Sequence, residues 1–220
     1  MIGAPTGLVI FDCDGVLVDS EPISAAALAD ELTKAGFATT AEECLLRYLG
    51  LSRDCVDALI EARWGRPLPD GFRERLRERD YAAFRKHLQA TPGVEAMLEA
   101  MTAARCVASS GSLEKLDVTL SATGLLRYFA PNVFSAEQVA RGKPAPDLFL
   151  YAAERMGARP QECIVVEDSV AGIQAARSAR MRVIGYAGGG HADNAYARRL
   201  AEAGATITVR RMDQLGALLP

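Results

Sequence analysis

Five short apolar runs punctuate the sequence: Leu8 to Phe11, Cys106 to Ala108, Ile164 to Val166, Arg182 to Ile184 and Thr206 to Val209. The stretches between most of them carry helical patterns. Runs this short and this continuously apolar suit parallel strands buried on both faces by helices, so the expected fold is α/β, a doubly wound parallel sheet. A crossover between parallel strands needs only about a dozen residues. The first takes more than ninety, from Phe11 to Cys106. That is too long for one helix, and too apolar and periodic for a structureless loop, so an inserted α-helical subdomain is expected there.

The expected division is 1–16 and 89–220 for the sheet-bearing core and 17–88 for the insert. Within the insert, Ile23 to Ala35 stops at Gly36, Ala41 to Leu49 stops at Gly50, and Ser52 is placed to cap a helix reaching about Arg63. A further helix is expected from Asp70 to about Leu88, with Phe72, Leu76, Phe84 and Leu88 recurring at multiples of four. The charged "RERLRERD" between them reads as a solvated face laced with ion pairs.

The net charge of −3, with both signs interspersed, lacks the basic excess of a nucleic-acid binder. No run approaches the ~18 apolar residues of a membrane span, and the first seven residues lack the basic flank and apolar segment of a secretory signal. A cytoplasmic protein is expected, with no obligate protein partner inferred. The five scattered cysteines form no C-x-x-C pair and read as reduced, packed thiols. None has an arginine six residues later, which excludes a thiol phosphatase, and two distant histidines, His87 and His191, do not make a histidine-rich zinc site.

In open parallel sheets ligands bind beyond the carboxyl ends of the strands. The polar residues of this chain gather at those ends. Asp12 and Asp14 follow the first run, Ser109 and Ser110 the second, and Glu167 and Asp168 follow "CIVV", while Lys143 lies in the loop "RGKPAPD". Period two in extended chain points Asp12 and Asp14 to one side and Cys13 away. Carboxylates, a hydroxyl and an ammonium converging on one edge suit phosphoryl transfer assisted by Mg²⁺, a hard cation that takes oxygen ligands.

In order and spacing, "DCDGVLVDSE", "VASSGS", "GKPAPD" and "VVEDSVAGIQAA" resemble the four motifs of the haloacid dehalogenase-like hydrolase superfamily. Within it the chain resembles the branch of β-phosphoglucomutase and small-molecule phosphatases, whose Rossmann-like core carries a helical cap where this insert lies. The resemblance implies a Mg²⁺-dependent phosphatase of a small phosphorylated metabolite, such as a sugar phosphate, working through an aspartyl-phosphate. Asp12 would be the nucleophile and Asp14 the acid/base. Mg²⁺ would be held by Asp12, the backbone carbonyl of Asp14 and Asp168, with Glu167 a ligand or close neighbour. Ser109 and Lys143 would bind the phosphoryl oxygens. Arg53, in "GLSR", would reach a distal anionic group of the substrate, or else be an exposed residue behind a capping serine.

Plainer roles compete for single residues: Ser109 alone reads as a helix cap, although "SSGSLEKL" could cap the next helix through Ser112, Asp168 could cap the helix that follows it, and Glu167 could only neutralise Lys143. The "GGGH" from Gly188 to His191 fits no nucleotide-loop spacing and reads as a loop. The alternative function is a phosphosugar mutase of the β-phosphoglucomutase type. That enzyme places a histidine where this chain has Ser24. Relatives also often place glycine where this chain has Arg180, so Arg180 is expected to carry strain if its backbone is left-handed.

Overall fold

The computed structural model describes residues 7–48, 53–189 and 194–220, with Arg53 described by its backbone alone. The chain divides into two compact units, one running up to Asp19 and resuming over Gln89–Pro220, the other spanning Ser20–Leu88.

The first unit is built on six parallel strands: β1 (Leu8–Phe11), β2 (Ala104–Ser109), β3 (Val133–Ser135), β4 (Cys163–Glu167), β5 (Arg182–Tyr186) and β6 (Ile207–Val209). They lie side by side in the order β3-β2-β1-β4-β5-β6. Chain direction across the sheet therefore reverses between β1 and β4, the topological switch at which doubly wound sheets open a crevice. Register then sets the heights of the loops. Phe11 lies opposite both Val107 of β2 and Val166 of β4, so the residues that follow leave the sheet level with Ser109 and Glu167.

The second unit holds α1 (Glu21–Lys34), α2 (Ala41–Tyr48), α3 (Arg53–Trp64) and α4 (Phe72–His87). Its core includes Leu32, Phe37, Ile60 and Phe72, with Phe37 edge-on to Trp64 at 5.1 Å. Phe72, Leu76, Phe84 and Leu88 are all buried, as their spacing requires. The charged run does more than face water. Arg73 bonds to Asp54 and Asp57 of α3, and Arg79 bonds to Asp30 and Glu31 of α1, so the arginines fasten α4 to its neighbours.

The remaining helices, α5 (Val94–Ala100), α6 (Leu113–Ala122), α7 (Leu126–Phe129), α8 (Asp147–Arg155), α9 (Val170–Ser178), α10 (Asn194–Glu202) and α11 (Met212–Gly216), flank the sheet. Period two divides β1 between its two faces. Leu8 and Ile10 join a buried cluster with Leu148 and Ala152 of α8 and Ile173 of α9, while Phe11 packs edge-on against Phe129 of α7 at 5.9 Å. β3 was not expected, since three residues are too few to show a period. All five cysteines are free thiols, and only Cys55 is exposed. Among the described residues no helix is long and apolar enough to cross a membrane.

Candidate active site

Every predicted core site residue lies at the carboxyl edge of the sheet, around the switch between β1 and β4. The Asp12 amide donates to the carbonyl of Val166 at 3.0 Å, extending the β1–β4 ladder by one bond and bringing Asp12 beside Glu167. Lys143, from the loop before α8, sends its ammonium between them. It bonds to Asp12 Oδ1 at 2.8 Å and to Glu167 Oε1 at 2.5 Å, and its side chain is only 4% exposed. Its Nζ also sits 5.0 Å from the centre of the Phe149 ring.

Burial and charge act in opposite directions here. Burial disfavours the charge on Lys143, but the carboxylates of Asp12 and Glu167 override it and hold the pKa above the ordinary lysine value. At Asp12 burial is the largest influence. Joined by the charges of Glu167 and Asp14, and opposed by Lys143, it raises that carboxyl to about 7. Burial, with Asp14 and Asp12 alongside, pushes the Cys13 thiol well up, which leaves it a packed side chain rather than a nucleophile.

The competing roles are decided by hydrogen bonds. α6 is capped by Ser112, whose hydroxyl accepts from the Lys115 amide at 3.1 Å, so Ser109 is not the cap. The Ser109 hydroxyl instead accepts from the Gly111 amide at 3.2 Å. α9 is capped by Ser169, whose hydroxyl accepts from the Gly172 amide at 3.0 Å, which releases Asp168 from that duty. Glu167 does neutralise Lys143, and its Oε2 also accepts from the Ser169 amide and hydroxyl, at 2.8 and 2.9 Å.

Two glycines permit this crowding. Gly15 has φ +74°, and a Cβ there would lie 1.9 Å from Asp168 Oδ2; a Cβ on Gly172 would lie 1.8 Å from Glu167 Oε1. Only a residue without a side chain lets the β1 loop and the first turn of α9 approach these carboxylates so closely.

One oxygen each from Asp12, Glu167 and Asp168 can be drawn within 4.8 Å of the others, and all three residues are buried. Three buried carboxylates gather here, two of them bonded to the ammonium of Lys143. This set of hard, anionic oxygen donors fits Mg²⁺.

Sequence reasoning missed three supports. Lys115, on the first turn of α6, bonds through Nζ to Asp14 Oδ2 at 2.7 Å. The Ser135 hydroxyl donates to the Gly111 carbonyl at 2.6 Å and Glu137 accepts from the Leu113 amide at 3.0 Å, which brace the Ser109 loop from the end of β3. Tyr196 of α10 donates to the Asp168 carbonyl at 2.7 Å. No local pattern marks any of them, because each acts across elements far apart in sequence. Arg53 opens α3, but its side chain, with residues 49–52, lies outside the described residues, as do Gly190 and His191 of the "GGGH" stretch.

The model of the haloacid dehalogenase-like hydrolase family matches residues 6–180. The chain belongs to this family. It is similar to 6-phosphogluconate phosphatase of Escherichia coli K12, 35% identical over 176 residues that make up 80% of each chain. It is similar also to a phosphorylated carbohydrates phosphatase of Thermotoga maritima, 33% identical over 96% of this chain and 97% of that one. A haloacid dehalogenase-like protein of unknown function from Agrobacterium tumefaciens C58 has the same fold, with a TM-score of 0.85 and 39% identity over 97% of each chain. With relatives of this kind the chain is a phosphoric monoester hydrolase of the haloacid dehalogenase-like type.

Proposed function

We propose that this phosphatase hydrolyses a sugar phosphate or a related small organophosphate, with Mg²⁺, through an aspartyl-phosphate on Asp12. The observation that carries the reading is the buried ammonium of Lys143 bonded to Asp12 Oδ1 at 2.8 Å. A lone carboxylate in so dry a place would be costly, and the arrangement suits a nucleophile that must approach a phosphoryl dianion. The activities for which the relatives are named, on 6-phosphogluconate and on phosphorylated carbohydrates, support the substrate class.

In this reading Asp12 attacks phosphorus while Asp14 protonates the departing alkoxide. Asp14 then takes a proton from the water that hydrolyses the intermediate. Lys143 and Ser109 hold the non-bridging phosphoryl oxygens, and Glu167 keeps Lys143 in place. Asp12, Asp168 and the carbonyl of Asp14 would hold Mg²⁺, with Glu167 beside them; once bound, the ion would offset phosphoryl charge as a Lewis acid. The helical segment, 17–88, is the family's cap in this reading, and substrate choice lies with it. Ser24 replaces the histidine of a mutase with a side chain that cannot carry the imidazole's proton, so water is the expected acceptor of the phosphoryl group.

The test is direct. Asp12→Asn should reduce turnover at least ~10³-fold without unfolding the protein, since the bond-forming oxygen is lost. Wild type with Mg²⁺ should release inorganic phosphate from sugar monophosphates and bind beryllium fluoride at Asp12. Appreciable turnover by the Asn variant would refute the nucleophile. Isomerisation of β-glucose 1-phosphate, primed with a bisphosphate, outrunning phosphate release would replace the phosphatase with a mutase.

A further inference from the structure

The bond between Lys115 and Asp14 has no place in the mechanism so far, yet it is built with care. Lys115 sits at the third position of α6, where its own amide is fixed by the Ser112 cap. The loop before it is pinned by Ser135 at the end of β3 and by Glu137 in the turn that follows. The stem of Lys115 runs past Gly111, where a Cβ would stand only 3.3 Å from Lys115 Cδ. Backbone, cap and stem thus converge to deliver the ammonium to Asp14 Oδ2 at 2.7 Å, with both side chains about three-quarters buried. An ion pair so placed loses less to solvent screening than a surface pair, and it restricts the rotamer of a short carboxylate effectively.

We propose that Lys115 is a positioning residue for Asp14 in the second half of the reaction, the hydrolysis of the aspartyl-phosphate. The inference rests on the reading of Asp14 given above. In that step a water oxygen forms a bond to phosphorus and the bond between phosphorus and Asp12 breaks. The electron pair returns to the Asp12 carboxylate, and the proton of the water passes to Asp14. The base must be an ionised carboxylate aimed at the water. A lysine bonded to one of its oxygens at 2.7 Å fixes the rotamer of the carboxylate and so holds its aim. The first half makes no such demand when the leaving group is a stable phenolate, which departs without a proton.

The experiment compares Lys115→Met, Lys115→Arg and Asp14→Asn with an activated aryl phosphate and saturating Mg²⁺. For Lys115→Met the expected result is a kcat lowered ~10- to 100-fold, part of what a general base supplies. KM should fall in step so that kcat/KM stays within ~3-fold of wild type, and a burst of about one phenolate per protein should precede the slow phase. Lys115→Arg should restore most of kcat. Beryllium fluoride binding and the melting temperature of Lys115→Met should match wild type, which shows that the pocket is intact. Equal losses in kcat and kcat/KM, or an unchanged kcat, would overturn the proposal. The Asp14→Asn control separates the two levels: if it shows no burst, the reading of Asp14 fails, whereas a burst there without one in Lys115→Met removes Lys115 alone.

Discussion

Gly15 shows how much of the site depends on one missing side chain. It follows the two aspartates, its backbone is left-handed, and Asp168 fills the space a methyl group would take. Gly15→Ala should therefore strain the loop by ~1–2 kcal/mol and also displace Asp168. A shift of about an ångström in a positioned group costs ~10²-fold in rate, so turnover should fall about that much while the protein stays folded at room temperature. Steady-state kinetics beside a thermal melt would show it, and full activity in the alanine variant would mean that Asp168 has no fixed post. At this scale the sequence was informative about residue type and poor about partnership. Asp12, Asp14, Ser109, Lys143, Glu167 and Asp168 could be named because each sits at the end of an apolar run or in a Gly/Pro loop. Their partners could not, since Lys115 and Tyr196 meet Asp14 and Asp168 across elements that one-dimensional spacing does not connect.

Among the elements, the end of α9 carries a strain that catalysis does not use. Met181 donates to the Ala176 carbonyl and Arg180 to that of Arg177, both at 3.0 Å, a left-handed helix stop in which Arg180 holds φ 60°. Arg180 is exposed, so its side chain has little packing to lose. Arg180→Gly should remove ~1–2 kcal/mol of strain and return part of that as unfolded-chain entropy, for a net gain of about 0.5–1 kcal/mol. At this chain length the melting point should rise by roughly 1–4 °C, with kcat unchanged. A lower melting point would mean that the arginine makes a contact worth more than the strain. The same element scale shows what period and length can reveal. The insert announced itself through the length of the first crossover, and α4 through its repeating Phe and Leu. β3 has three residues and no alternation to read, yet it supplies Ser135, which braces the loop after Ser109. The arginines of α4 were legible as charges but not as fasteners, because their acidic partners lie on α1 and α3.

At the scale of the whole molecule, the acid cluster ties the stability of the fold to the ion it is suited to hold. Asp12, Glu167 and Asp168 are buried together, and the ammonium of Lys143 bonds to the first two. Folding without a cation must gather these carboxylates where water solvates them poorly, as the raised carboxyl of Asp12 reflects. A divalent ion that binds the folded chain and not the unfolded one adds RT ln(1 + [L]/Kd), about 2.7 kcal/mol at a hundredfold excess over Kd. For a domain of this size that is a rise of roughly 5–10 °C in melting temperature on adding saturating Mg²⁺ to chelated protein. Asp168→Asn removes a charge that the cation would meet and leaves the ion pairs of Lys143 in place, so its chelated form should be at least as stable as wild type and its response to Mg²⁺ small. Lys115→Met lies outside the cluster and should keep the full response. Thermal melts of the three proteins with chelator and with Mg²⁺ decide the matter without any turnover. A wild type indifferent to Mg²⁺, or an Asp168→Asn variant that responds as strongly, would mean that the cluster is balanced by the protein itself and that the cation is not part of the resting fold.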